Sequence, residues 1–501
     1  MTTFARLYKE VRSCWPEWTS LFLYAALVAF AIPYHEPWAD EAQAWQLARS
    51  LSLPALFQTY LRYEASPGLW HLLLWILIRA HVSYVGLHWI CGGIAVGATA
   101  LLVLKSPFPR YLKLMLPFTY FLLFQYAVVA RSYVLVPILL YLIALCWKKN
   151  PLILALLLGL LANVALHAAV FSGGLAFVYF IEQVRDGILK GYRRQLLPGA
   201  LTLLILWAVA LWTAWPPPDN SFYASYTPGA SRPFLAWILM SPLWEICQPW
   251  ILSIAFWIAI AFCLSRRGNL LYLLPVLFFA AFSGAVLFAW WHIGLLVPLV
   301  ICLLWITWPT PEGKICRPEA IACIAMVVMS AIQIFWSAYA VQFDHYNAYS
   351  PDLATANFLQ PFVRQGARIA VTYSDDPDGH GYRSIGILPY FDHNIFINQP
   401  DSFWPWNHPN PTEGMFMKVL PTHPALILVD VRSHHPELPV NLQDPRIRLL
   451  DRTGYRFTNM FCGAMPMRFQ PAEKSCHLIF QRVDDEQEPV EQRASQASAV
   501  R

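Results

Sequence analysis

Charge is scarce in this 501-residue chain. Asp, Glu, Lys and Arg make up 13% of it, against roughly 25% in soluble domains. Apolar residues make up 57%, and the mean hydropathy is +0.44. That balance excludes an ordinary water-soluble globule. The formal net charge of +5 does not point to nucleic acid, because the basic residues are dispersed as flanks of apolar runs, the arrangement that sets membrane topology. No GxGxxG follows a strand and no Walker loop occurs, which excludes the usual phosphate-cradling nucleotide sites. Two histidine-bearing loops, "GHGYRS" and "RSHHPEL", lack metal-ligand spacing, so no metal site is read there. The first apolar run, Leu21 to Ile32, has no small-residue cleavage site behind it and reads as a retained helix, not a removed signal peptide. There is no internal repeat and no low-complexity core.

What the chain has instead is a series of apolar segments. They predict spanning helices at about 18–34, 84–104, 112–130, 132–147, 151–166, 169–184, 196–214, 246–264, 270–289, 293–308 and 319–340, eleven crossings in all. A further stretch, "PGLWHLLLWILIRAHV" from Pro67, competes for a place. If it does not span, the basic clusters Arg6/Lys9/Arg12, Lys105/Arg110/Lys113, Lys148/Lys149, Arg185/Lys190/Arg193/Arg194, Arg266/Arg267 and Lys314/Arg317 all fall on one side, as the positive-inside rule requires. Its length of about 16 residues gives roughly 24 Å of helix, and it carries His71 and Arg79. It is read as a helix in or dipping into the outer interface.

The N-terminus is then cytoplasmic. The loop with Asp40 and Glu41, the hinges at Arg131 and His167, the 215–235 loop, His292 and everything from Gln342 to Arg501 share the outer face. In that tail, "ARIAVTY", "ALILVDV" and "HLIFQR" read as strands and "SPDLATANFLQPFV" as a helix, so a small α/β domain is expected. Residues from about 484 on have a disordered composition. Of ten cysteines, eight lie in or beside membrane helices, where a thiol is an apolar filler. Cys462 and Cys476 are the two in the outer domain, where they either pair as a disulfide or stay as buried thiols.

The candidate site residues cluster on the outer face. "DEAQAWQLARSL" carries Ala44, Trp45, Leu47, Ala48 and Leu51 on one stripe, so an amphipathic helix on the membrane surface is expected. Asp40 either caps that helix, with Glu41 favouring its dipole, or is a carboxylate placed to take a proton from an incoming nucleophile. Arg131 separates two apolar runs with no polar loop. A charge near hydrocarbon costs about 2.5–3.5 kcal/mol even on the lenient insertion scale, so it pairs with an anion: a lipid-linked phosphate, a lipid headgroup, or Asp40 or Glu41 themselves. His167 and His292 sit at almost loopless helix junctions, as interface anchors or as site residues. Glu64 and His71, in "RYEASPGLWH", complete the set, with Pro67 opening the interfacial helix. Asp40, not Glu41, is expected to be the base, facing Arg131 across a cavity open to the outer leaflet, because Glu41 is rotated by about 100°.

These residues carry a resemblance. An acidic pair opening a helix in the first outer loop is similar to the GT-C glycosyltransferases, especially the family-39-like branch of protein mannosyltransferases and lipid A aminoarabinose transferases. "ARSY" (130–133), with Arg131 and Tyr133, resembles the branch's "ARxY". "YEASPGLWHLLLWIL" resembles its Pro-containing interfacial segment, "LHAAVF" a recurrent "THY" position, and "WWHIGLLVPL" the late segment where Arg-His or Arg-Tyr is common. The likeness covers about residues 20–310. It departs at Leu166-His167-Ala168 and at Trp291, where Arg is frequent.

The resemblance implies a GT-C membrane fold that passes a sugar from a polyprenyl-phosphate donor to an extracytoplasmic acceptor with inversion. Asp40 and Glu41 would be catalytic, Arg131, Tyr133, His167 and His292 would hold the donor phosphate, and Glu64 and His71 would bind substrate. A divalent cation at Asp40 and Glu41 is allowed but not required. The expected organisation is an α-helical polytopic membrane domain over 1–341, with interfacial helices in the 35–83 loop, an extracytoplasmic α/β domain over 342–483 and a tail over 484–501, in the inner (plasma) membrane. The rival readings are a transporter or flippase of a lipid-linked glycan, and a scaffold presenting the outer domain. A transporter lines its midplane with polar residues, whereas here Asn163, Ser172 and Ser283 are scattered.

Overall fold

The computed structural model describes residues 14–185, 193–220, 242–286, 290–309, 315–372, 383–398, 419–433 and 445–483. The basic cluster Arg6/Lys9/Arg12, Lys190, Lys314, the 221–235 part of the outer loop, most of both histidine-bearing loops and the 484–501 tail lie outside them. The chain divides into two compact units: Met1–Tyr349 with Ser402–Asn410 and Pro466–Gln470, and Ser350–Asp401 with Pro411–Met465 and Pro471–Arg501.

The first unit is helical. Its main helices are α1 (Trp15–Ala31), α2 (Ala39–Ser50), α3 (Leu69–Arg79), α4 (Tyr84–Lys105), α5 (Arg110–Met115), α6 (Leu135–Cys146), α7 (Pro151–Ala162), α8 (Leu166–Arg185), α9 (Arg193–Ala214), α10 (Trp250–Arg266), α11 (Leu274–Ala285), α12 (Leu296–Thr307) and α13 (Arg317–Tyr346). Their starts follow local chemistry. Asn150 accepts the N–H groups of Leu152 and Ile153 ahead of Pro151, and Ser83 accepts that of Gly86 to open α4, as side-chain caps do.

Among the described residues five helices are long and apolar enough to cross a membrane: Trp15–Tyr34, Tyr84–Lys105, Leu166–Arg185, Leu196–Ala214 and Arg317–Tyr346. Five more of the expected spans form apolar helices of 10–17 residues.

The expected span at 112–130 is not one helix. It breaks into α5, a 3₁₀ turn at Leu116–Phe118 and a wide turn at Phe121–Gln125. Pro117 has no N–H to give the ladder and crowds the preceding turn, and Thr119 is extended, with ψ at 147°. Its hydroxyl donates to Leu116 O instead, and the phenol of Tyr24 donates to Leu122 O across the break.

Two expectations for the first outer loop change. The α2 helix is not a surface helix, because Ala39 and every residue from Glu41 to Ala48 are buried. Its small residues, Ala39, Ala42, Ala44 and Ala48, allow close packing on more than one side, including against α3. The α3 helix is short, 11 residues or about 16 Å, below the roughly 30 Å of a bilayer core. Gly68, not Pro67, caps it. The N–H of Leu69 donates to Asn163 O at the end of α7, which fixes where α3 begins.

The second unit is α/β. Helix α14 (Asp352–Arg364) precedes β1 (Ile369–Thr372), β2 (Leu426–Ser433), α15 (Pro445–Arg452), β3 (Tyr455–Met467) and β4 (Gln470–Arg482), in the sheet order β1-β2-β4-β3. β1 runs parallel and β4 antiparallel to β2, with Val429 opposite Leu478. Alternation sorts the faces. Ala370, Ile427, Val429, Leu478 and Phe480 pack with Ile447 and Leu450 of α15, while His477 reaches Thr355 of α14 on the other side. The three expected strands and the helix are present. β3 and α15 were not expected. Cys462 on β3 and Cys476 on β4 are disulfide-bonded, with Cα atoms 4.1 Å apart.

Candidate functional site

After α1 a 3₁₀ turn, Ile32–Tyr34, leads through His35 to an extended Trp38, which precedes the first turn of α2. Glu41, not Asp40, does the capping: the Trp38 backbone N–H donates to Glu41 Oε1 at 3.1 Å, satisfying an N–H the helix leaves open. Asp40 is turned away and meets Arg131, with Oδ2 2.9 Å from Nη1. The two neighbouring acids thus hold two neighbouring residues of the hinge, because the Ala130 N–H donates to Glu41 Oε2 at 2.6 Å.

The expected cavity between Asp40 and Arg131 is therefore closed by direct contact. The contact is an ion pair whose angle is wrong for a hydrogen bond, so Arg131 Nη1 has no aligned acceptor among the described residues. Both side chains keep about a fifth of their surface exposed, 18% for Arg131 and 20% for Asp40. The guanidinium also lies 5.1–5.8 Å from the ring centres of Trp38, Tyr133 and Trp291, within cation–π reach.

Tyr133 carries the arrangement onward. Its hydroxyl lies 2.9 Å from His292 Nε2, and the His292 ring lies against that of His167 at a tilt of 34°, with centres 3.9 Å apart. His167 in turn touches Phe279 and Phe282 of α11. Gly294, two residues after His292, lets that turn pack closely on Phe121 and Tyr126, since a Cβ there would meet the Phe121 ring and the Tyr126 hydroxyl. Phe282 and Leu166, next to His167, line an apolar cavity of about 620 Å³ between α7, α8, α9 and α11, with Trp207, Leu211, Trp215 and Gly173.

Asp40, Arg131, Tyr133, His292 and His167 are thus brought together. Glu64 and His71 lie along α2 instead: Glu64 Oε1 accepts from Gln43 Nε2 at 2.5 Å. Neither ring nitrogen of His71 has a hydrogen-bond partner among the described residues. Burial alone pushes the His71 pKa down to about 4, so it is neutral near pH 7.

The acidic pair does not form a two-carboxylate cation site, because Asp40 faces a guanidinium and Glu41 points elsewhere. Glu41 Oε1 is 3.3 Å from His35 Nε2 and Oε2 is 2.9 Å from His88 Nε2. His35 Nδ1 lies 3.0 Å from Asp344 Oδ2 and His88 Nδ1 3.2 Å from Tyr84 O. All four ionisable groups are buried. Burial alone would lower the His35 pKa, but the Asp344 and Glu41 charges outweigh it and raise it to about 10. Burial works against the Glu41 carboxylate too, yet His35 and His88 hold its pKa well below the usual range.

His88 and Asp344 had not been singled out in the sequence. The signal was there for His88, an ionisable residue inside an apolar span, "GLHWICGG", where such groups have a job by default. Comparison with known proteins finds no family whose pattern matches this chain, no curated relative and no matching solved structure.

Proposed function

We propose that this chain is a membrane glycosyltransferase that moves a sugar from a polyprenyl-phosphate donor to an acceptor outside the membrane, with inversion. One observation carries the reading. A part-exposed carboxylate, Asp40, sits against a guanidinium that still has donors to give, and Tyr133, His292 and His167 connect that pair to an apolar cavity. The cavity suits a prenyl chain and Arg131 suits the phosphate that ends it. A phosphate arriving at Arg131 would draw the guanidinium off Asp40 and leave the carboxylate as a base.

The acceptor's O–H or N–H then attacks the anomeric carbon from the face opposite the phosphate. The new bond forms as the C–O bond to phosphate breaks, the proton goes to Asp40, and the charge growing on the leaving phosphate is met by Arg131. The five helices long and apolar enough to cross a membrane and the apolar composition support a multi-pass protein, and the one-sided basic clusters support an extracytoplasmic second unit. The test is direct. Purified protein with a labelled polyprenyl-phosphate sugar should release polyprenyl phosphate in an acceptor-dependent way, and envelope glycans from cells lacking the gene should lose one sugar by mass spectrometry. Unchanged glycans together with no release from a panel of such donors would end the reading.

A further inference from the structure

The buried His35–Glu41–His88 group is more than a cap for α2. We propose that His35 Nε2, Glu41 and His88 Nε2 bind a zinc ion, which ties together the loop before α2, the first turn of α2, and α4. The ligand atoms of the three all lie within 4.8 Å of one another, and two of the gaps are 3.3 and 2.9 Å. Around a tetrahedral zinc, with bonds of about 2.0–2.2 Å, ligand atoms sit about 3.3 Å apart. Each histidine stands near that distance from its own oxygen of Glu41, Oε1 for His35 and Oε2 for His88, and no two ligand atoms of the group are more than 4.8 Å apart.

The partners of the far nitrogens are the second observation. A metal-bound histidine nearly always gives its other N–H to a carboxylate or a backbone carbonyl, which fixes the tautomer. Here His35 Nδ1 meets the Asp344 carboxylate and His88 Nδ1 meets the Tyr84 carbonyl. Both rings therefore present Nε2 to the same carboxylate. Glu41 is oriented from outside the group as well, by the N–H groups of Trp38 and Ala130. Two histidines and one glutamate, each held from behind, are a zinc ligand set.

Charge balance agrees. A carbonyl can only accept, so Nδ1 of His88 carries a proton. With its Nδ1 proton so placed, His88 can offer the Nε2 lone pair to an ion, and His35 can do the same if it gives its Nδ1 proton to Asp344. One divalent ion with two neutral imidazoles and the carboxylates of Glu41 and Asp344 sums to zero. The ion would lie beside the residues that hold Asp40 and Arg131, but the site does not depend on the transferase reading.

Protein purified in detergent without chelator should contain about one equivalent of zinc by mass spectrometry of the metal. X-ray absorption at the zinc edge should show histidine nitrogen in its shell. His88→Ala should lose the metal, and Asp344→Asn, which leaves all three ligands, should weaken zinc affinity by about 10–100-fold, the usual cost of removing an outer-shell partner. Wild-type protein that is monodisperse, holds no zinc and takes none up from a zinc chloride titration overturns the site. So does zinc retained in full by a monodisperse His88→Ala protein.

Discussion

Asp40 and Arg131 meet at 2.9 Å without forming an aligned hydrogen bond. An arginine–carboxylate pair built only for stability would be expected to use its fork, with two parallel N–H···O bonds. This one is partly open to solvent and leaves Nη1 unspent, while Glu41, one residue away, is saturated by two backbone N–H groups and two imidazoles. The acid that is fully bonded suits a structural role, and the acid that is loosely held suits chemistry.

The first prediction follows. Asp40→Asn keeps the size of the side chain and removes its basic lone pair, so transfer should fall by about 10²–10⁴-fold while the protein remains folded. Arg131→Lys should raise KM for the donor, since a forked phosphate contact becomes a point charge. Steady-state kinetics at varied donor separates the two. Full turnover by Asp40→Asn would remove the base from the mechanism.

Much of this arrangement was legible in the sequence, and the reasons are local. Arg131 stands out because it separates two apolar runs with no polar loop, and the strands of the second unit because their apolar runs are short and bounded. What was not legible depends on distance along the chain. Asp344 is 309 residues from His35, and no pattern in either neighbourhood announces the pairing. The break at 112–130 was hidden because Pro117 sits in a composition apolar enough for a helix. β3 escaped because "YRFTNMFCGAMPM" has no clean alternation. Its place is set by pairing with β4.

The second unit gives a prediction about redox state. The Cys462–Cys476 bond closes a loop across the β3–β4 hairpin, with a sequence separation of 14. Closing a loop of about 15 residues is worth about 3 kcal/mol in the chain-entropy account. Cys462→Ser should therefore speed amide exchange in β3 and β4 relative to the rest of the unit. Peptide mapping without reductant should recover the two cysteines as one linked peptide. Two alkylatable thiols in protein from an oxidising compartment would contradict the bond.

A third prediction concerns pH. His477 is buried on β4, and its Nδ1 faces Thr355 Oγ1 at 3.0 Å. The Thr355 hydroxyl gives its proton to Pro351 O, so Nδ1 is the donor of the pair. Asp352 Oδ1, at 3.8 Å from Nε2, is beyond hydrogen-bond reach, and burial pushes the His477 pKa down to about 3. The unfolded chain, with a histidine pKa of about 6.5, takes up the proton first. Stability is therefore complete above about pH 6.5 and declines as pH falls toward 3, by on the order of 1 kcal/mol at pH 5.5. Hydrogen exchange of β4 amides, corrected for intrinsic rates, should show that loss between pH 7.5 and 5.5. His477→Gln should flatten it, and an equal slope in the variant would assign the effect to other groups.

The last prediction tests the apolar cavity against the catalytic pair. Gly173 lies on α8 and lines the cavity, and a Cβ added there meets nothing within 4 Å. A larger side chain therefore enters open space. Replacing a glycine inside a helix gains up to about 1 kcal/mol of helix propensity, so Gly173→Leu should fold at least as well as the parent. If the cavity holds the donor's prenyl chain, the leucine occupies room the chain needs, and KM for a long-chain donor should rise at least about tenfold. Catalysis at saturating donor should change little, because Gly173 touches neither Asp40 nor Arg131. A donor with its chain cut to a few isoprene units should be much less affected. Equal losses for both donors would show that the substitution acts on the site as a whole, and no loss for either would place the prenyl chain elsewhere.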